Sequence, residues 1–281
     1  MKTLKLLFVL FLGVTIGLAT SCKKDDDTTD DGNGGDNPPA AKTCYIKKTT
    51  DDNGAYSTYE YNSDNKVIKV SEYDKNGKLT AENHITYNTQ GNYINFTVLN
   101  DKGDTATYLV MHYSSASHPD SASVYMNMGV GLVKSATFVY TFTGDQLTLM
   151  ETKADPLGTG PFVVSKNEYT YTGKNLTTLK AYSFSVTAMS LVLESTTDYT
   201  YDDKKNPFFG IGIDYLMGEP QLSAANNVTK LTFKDDKGAV DKKKSFNYTY
   251  EYTSNGYPSK ATEKDFDNSH TEVTNMEYNC K

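Results

Sequence analysis

Three cysteines and four histidines are the side chains of this sequence best suited to covalent or metal chemistry. Cys22 stands directly after an apolar N-terminal stretch, where its sulfur could be acylated, whereas Cys44 and Cys280 lie at the two ends of everything that follows. With Cys22 acylated, those two are the only thiols left, and an exported chain meets an oxidising compartment in which they would pair as a disulfide. His84, His112, His118 and His270 contain no i, i+4 pair of the kind that sets two imidazoles on one helix face for zinc, so they read as solvated or packed residues. The sequence has no Gly-x-Ser-x-Gly elbow and no phosphate-binding loop. Carboxylates are plentiful but fall in turns, where Asp caps backbone N–H groups. An inward-facing pair of the glycosidase kind is the one catalytic arrangement left open. No cofactor and no metal is expected.

The N-terminus supplies an address. Lys2 and Lys5 precede Leu6–Ala19, an apolar run shorter than the roughly 20 residues a membrane-spanning helix needs. The small residues "ATS" then lead into Cys22. This segment resembles a lipobox, with Ala19 where leucine is commoner, and the "KKDDD" that follows is similar to the charged export signal of Bacteroidetes surface lipoproteins. The resemblance implies cleavage before Cys22, acylation of Cys22, and residence at the outer membrane facing outward, with the lipid bilayer as a partner. Two or three acyl chains hold a protein where a single chain binds only reversibly. Asp25, Asp26, Asp27, Asp30, Asp31 and Asp36 then repel one another and cannot build a core, which makes a solvated spacer. A calcium loop begun at Asp27 fails, because Pro38 would occupy the twelfth position, where Glu is required. The expected organisation is a signal peptide over 1–21, a lipid-anchored acidic linker over 22–43 and a single β domain over 44–281.

Composition limits what that domain can do. The chain carries a net charge of −7, and all 28 of its basic residues are lysine. Without a guanidinium fork, and with a field that repels phosphate, nucleic acid is excluded as a partner. Tyr (22) and Phe (12) are abundant and Trp is absent. Tyr and Thr dominate wherever the chain is not turning, which is strand composition.

A unit recurs along the sequence: an aromatic-x-Tyr strand, a turn rich in Asp, Asn, Lys and Gly, and a second apolar strand. Copies start at Tyr59, Ile85, Phe138, Tyr169, Tyr199 and Tyr248, about 26 to 31 residues apart or nearly twice that. Alternation places Ile94, Phe96 and Val98 on one face, and likewise Phe138, Tyr140 and Phe142, and Phe246, Tyr248, Tyr250 and Tyr252. The opposite faces carry Thr, Lys, Asn and Glu, which argues against a lipid-facing outer-membrane barrel. Turns such as "DKNG" and "SNG" suit tight hairpins. The fold class expected is all-β: a large antiparallel sheet of successive hairpins rolled into an open or closed barrel, with a spiral shell as the other architecture. The apolar stretch Asn206 to Asn227 interrupts the pattern and would hold a short helix, a lid over a barrel mouth, or a plug that closes it. Closure of the sheet would set Cys44 and Cys280 side by side.

"YEYNSDNKVIKVSEYDKNGKL" resembles a degenerate YD repeat. With the lipobox, "DDKKNPF" and "NNVTKLTF", the chain is similar to Bacteroidetes lipoproteins that form a domain of unknown function with a porin-like β fold. That resemblance implies a fold and a location and carries no activity. The function expected is therefore a non-catalytic binding or accessory module at the cell surface, taking a glycan or an apolar small ligand. A secreted enzyme acting on carbohydrate or peptide, or a structural surface-coat protein, are the alternatives. Triplets beginning at Asp27, Asp104 and Asp120 also look like the O-glycosylation motif of Bacteroidetes exported proteins.

Overall fold

The computed structural model describes residues 43–115, 118–155, 158–210 and 224–281. They form sixteen strands and no helix. The first eight are β1 (Cys44–Asp51), β2 (Tyr56–Tyr61), β3 (Val67–Tyr73), β4 (Leu79–Tyr87), β5 (Tyr93–Asn100), β6 (Thr105–His112), β7 (Ser121–Asn127) and β8 (Leu132–Thr143). There follow β9 (Gln146–Ala154), β10 (Phe162–Thr172), β11 (Asn175–Ser185), β12 (Ser190–Lys205), β13 (Asn226–Asp235), β14 (Phe246–Tyr252), β15 (Pro258–Asp265) and β16 (Thr271–Cys280). Each strand pairs antiparallel with its neighbours in sequence, and β1 pairs with β16 from Cys44↔Cys280 to Asp51↔Thr274, so the barrel is closed. Closure leaves no edge strand to recruit another chain.

The hairpins share one turn chemistry. The side-chain oxygens of Asn62, Asp74, Asn88, Asn100 and Asp235 each accept two backbone N–H groups, from the residues two and four positions on. The position before the last acceptor contact needs a left-handed backbone, which Gly77 supplies at φ 77° and Asn65 at φ 59°. These are the Asp/Asn/Gly clusters that punctuate the sequence.

A second device explains the repeated tyrosines. The strand register slips between the last two residues of the aromatic motif, at Glu60/Tyr61, Thr86/Tyr87, Thr141/Phe142, Thr170/Tyr171, Thr200/Tyr201 and Glu251/Tyr252. A bulge disrupts the ladder and leaves a carbonyl in want of a donor. Tyrosine hydroxyls from a neighbouring copy supply it: Tyr61 donates to the carbonyl of Ile46 (2.7 Å), Tyr87 to Val67 (2.7 Å), Tyr201 to Leu176 (2.6 Å), Tyr250 to Val228 (2.7 Å) and Tyr278 to Pro258 (2.6 Å). The Tyr-x-Tyr repeat is thus both the core of one hairpin and a latch onto the hairpin before it. The same slip corrects one expectation: opposite Tyr87 the inward residue of β5 is Tyr93, and Ile94 is the bulged residue, so Ile94 leaves the face of Phe96 and Val98.

Inside, the filling changes along the axis. Tyr59, Ile85, Phe96, Leu109, Tyr140, Tyr169 and Tyr199 belong to one packed cluster. Toward the ends of β1, β3 and β15 the inward positions become polar: Asp51, Glu72, Asn83, Thr107, Thr197 and Glu263. The outer face is polar, as at Lys69, which meets Glu60 at 2.6 Å and Glu82 at 3.7 Å. Such exposed pairs add little stability. They place charge on the outer face at this point of the wall, beside outward aromatic pairs such as Tyr56 and Tyr73.

Candidate functional site

Strands that traverse a barrel place alternate loops at its two mouths. Odd-numbered strands begin at the mouth that holds Cys44 and Cys280, here the seam mouth, and even-numbered strands begin at the far mouth.

At the seam mouth Cys44 and Cys280 are joined by a disulfide. The N–H of Lys281 donates to the carbonyl of Thr43 (3.0 Å), extending the pairing by one step. Pro207 is buried, and the ring of Phe208 lies 6.2 Å from that of Tyr59 in the interior. Residues 211–223 of the apolar insertion lie outside the described residues. A cavity of about 370 Å³ beside this loop is lined by Tyr45, Asn65, Lys205, Phe209 and Tyr257 among others. None of its described lining residues bears a carboxylate or an imidazole, so its walls offer no general acid or base.

The far mouth carries the chemistry. On the β15–β16 hairpin Glu263 and Glu272 are direct cross-strand partners, both facing inward. His270 sits in the connecting turn, with Nε2 3.6 Å from Glu272 Oε2. One donor atom from each of the three residues lies within 4.8 Å of the others, and among the described residues this is the trio so placed. The turn is held by Asp265, whose carboxylate accepts the N–H of Ser269 (2.8 Å) and whose own N–H reaches the His270 carbonyl (3.2 Å). Those Ser269 bonds hold the Asp265 carboxyl below its ordinary range. Burial pushes the Glu263 and Glu272 carboxyls up, and their mutual repulsion raises Glu263 further. Glu272 is raised again by Asp51 and Asp52 on the neighbouring strand and turn. Glu72 is also pushed up by burial, and its Oε1 accepts from Asn83 Nδ2 at 3.0 Å. Oε1 of Glu263 and Oδ1 of Asp51 are shut off from water and have no hydrogen-bond partner.

An inward carboxylate pair, the arrangement that glycoside hydrolysis would use, is therefore present. That chemistry needs one carboxyl held protonated and the other ionised. Here burial raises both carboxyls, and the repulsion between them couples their titrations.

The same mouth carries an apolar rim on its other side. The β7–β8 tip exposes Met128 (67%), Val130 (87%), Leu132 and Val133, and the β11–β12 tip exposes Val186 (75%), Met189 (70%) and Val192. Between them, Phe162 of β10 meets Phe184 of β11 edge-on at 4.9 Å. Met189 holds φ 51°, a conformation that a side chain with a Cβ rarely adopts. The β9–β10 connection lies between these tips, and each tip by itself exposes several apolar side chains, a surface of the kind that contact sites use.

The remaining residues singled out in the sequence are scattered. Cys22 and Asp27 lie outside the described residues. Asp104 and Asp120 are exposed in turns at opposite mouths. His84 meets Glu82 at 3.3 Å on the outer face, His112 meets Ser123 at 2.9 Å, and His118 stacks on Phe142 at 4.4 Å. Only His270 joins a cluster. The spacing that would have found it is Glu-x6-His-x-Glu across a hairpin turn, which converges only if Glu263 and Glu272 are in register.

No family model matches the sequence, and no curated protein matches it. Solved structures do share the barrel. A porin-like protein from Bacteroides vulgatus superposes with a TM-score of 0.53 at 15% identity, over 84% of this chain and 99% of that one. A porin-like protein from Bacteroides uniformis gives a TM-score of 0.50 at 12% identity, over 84% and 98%. Likeness at this identity shows the fold, a β-barrel.

Proposed function

We propose that this chain is a lipid-anchored protein of the outer membrane surface that works by binding, with the far rim as its contact surface. The observation that carries the reading is the apolar rim: Met128, Val130, Val186 and Met189 are held in water by two hairpin tips at the same mouth of the barrel. A core tyrosine such as Tyr140 fills the bore instead of lining a channel, which favours binding over conduction. The signal-like N-terminus and Cys22 support the tether, and the polar outer wall is consistent with a barrel carried by that tether instead of inserted in lipid.

A photo-crosslinking residue placed at Val130 or Met189, and as a control at the outward position Glu82, tests the reading on intact cells. Crosslinked adducts from the two rim positions and none from position 82 are expected. Equal labelling at all three would refute the rim as the contact surface. Turnover of a polysaccharide or peptide that disappears in Glu263→Gln would replace binding by catalysis.

A further inference from the structure

We propose that Glu263, His270 and Glu272 bind a divalent transition-metal cation that clips the β15–β16 hairpin beside the barrel seam. Three independent features of the hairpin point the same way.

The first is register. Two like charges directly opposite on an antiparallel pair destabilise it, yet Glu263 faces Glu272 on the inner side. Among the described residues, no lysine forms an ion pair with either one; the single ion-pair partner is His270, at 3.6 Å from Glu272. The other titratable groups acting on the pair are acidic or neutral: Asp51 and Asp52 from the β1 side, Asp265 below, and Tyr248 on β14, which hydrogen-bonds the Glu263 carboxylate and leaves Oε1 without a donor.

The second is the unsatisfied acceptor. Glu263 Oε1 and, two strands along on β1, Asp51 Oδ1 are both closed to solvent without a donor. Buried acceptors are almost always paired, and each orphan calls for an explanation, a missing positive ion among them. A proton on one glutamate would satisfy a single oxygen. A dication answers both glutamates and makes the potential at Asp51 less negative.

The third is the donor set and its rigidity. Two carboxylates and one imidazole form a mixed oxygen–nitrogen site, which suits zinc or manganese and disfavours magnesium and calcium. All three donors come from one hairpin whose turn is fixed by the Asp265–Ser269 bond and the Asp265–His270 backbone bond. The donors already lie within 4.8 Å of one another, so binding requires little reorganisation. Asp51, next along the inner wall, is placed to act on the site from outside it. The clip would tie β16, the strand that closes on β1, to the strand before it.

The purified protein, stripped with EDTA and dialysed at about pH 7.5, is titrated with Zn²⁺, Mn²⁺, Mg²⁺ and Ca²⁺ by calorimetry, followed by thermal melting. One Zn²⁺ or Mn²⁺ per chain is expected. At a hundredfold excess over Kd the melting temperature should rise by about 5 to 10 °C. Mg²⁺ should give no comparable rise. His270→Ala and Glu263→Gln should each weaken binding at least tenfold, and both should fold, since each removes a destabilising or neutral group in the metal-free form. Absence of binding heat and of any melting shift would overturn the proposal. So would Zn²⁺ binding that survives both substitutions unchanged, which would place the ion at another histidine.

Discussion

Replacing a latch tyrosine by phenylalanine isolates the device that ties each hairpin to its predecessor. The ring and its packing remain, and only the hydroxyl is lost. Tyr61, Tyr87, Tyr201 and Tyr278 donate to the carbonyls of Ile46, Val67, Leu176 and Pro258 at 2.6 to 2.7 Å. Those four acceptor residues are among the most deeply buried in the molecule, so water cannot reach the orphaned oxygen. A buried acceptor left without its donor costs about 1–3 kcal/mol. For a domain of this length that is a fall in melting temperature of about 3–10 °C per substitution. Tyr61 and Tyr201 sit on β2 and β12 with no shared partner, so the double variant should lose the sum of the two. The outward-facing pair Tyr108 and Tyr125 provides the control, where Tyr→Phe should stay within about 0.5 kcal/mol. Thermal melts of six single variants and one double decide the matter. Latch variants that shift no more than the Tyr108 and Tyr125 controls would refute the latch as a source of stability.

Other outcomes follow from the same structure. Glu72, Glu263 and Glu272 have carboxyls raised by burial, so in the metal-free protein their stabilising share is full below the ordinary Glu pKa and is lost as pH rises through the raised values; melting temperature should fall from mildly acidic to neutral pH, and Glu263→Gln should flatten that fall. Burial pushes Tyr59 up to about 12 and raises Tyr201 and Tyr278 as well, so stability present below pH 10 is lost above it, and tyrosinate absorbance should lag until the barrel unfolds. Removing the disulfide that spans 236 positions, by Cys44→Ser with Cys280→Ser, should cost up to about 5 kcal/mol on the chain-entropy account, read as a lower urea midpoint. Met189→Gly should raise the melting temperature slightly by relieving the positive φ, whereas Val130→Asp should change the unfolding free energy by no more than about 0.5 kcal/mol.

The legible part of the sequence was local. Period-two alternation and Asp/Asn/Gly turns gave strands and hairpins, because both signals act over a few residues. That Phe138, Tyr140 and Phe142 share an inner face follows from alternation alone. Closure did not, since the pairing of β1 with β16 depends on the summed twist and register of all the strands between. Bulges hid the rest: one extra residue puts Tyr93 inside in place of Ile94, a choice that strict alternation gets wrong. The Glu263–His270–Glu272 trio was invisible for the same reason, because a slip of one residue would turn Glu272 outward. The apolar rim breaks the rule that turns are polar, and no pattern in the sequence marks Met128 to Gly131 as the tip between β7 and β8.

The central claim is that a tether carries this barrel at the membrane and that its wall stays in water. The direct measurement is fractionation of cells expressing the wild type or Cys22→Ala, with surface protease applied before lysis. The account predicts wild-type protein in the membrane fraction and open to the protease, and Cys22→Ala released to the soluble fraction with its barrel intact. Cys22→Ala that remained in the membrane fraction and resisted extraction would show that the barrel itself is inserted, and would contradict the account.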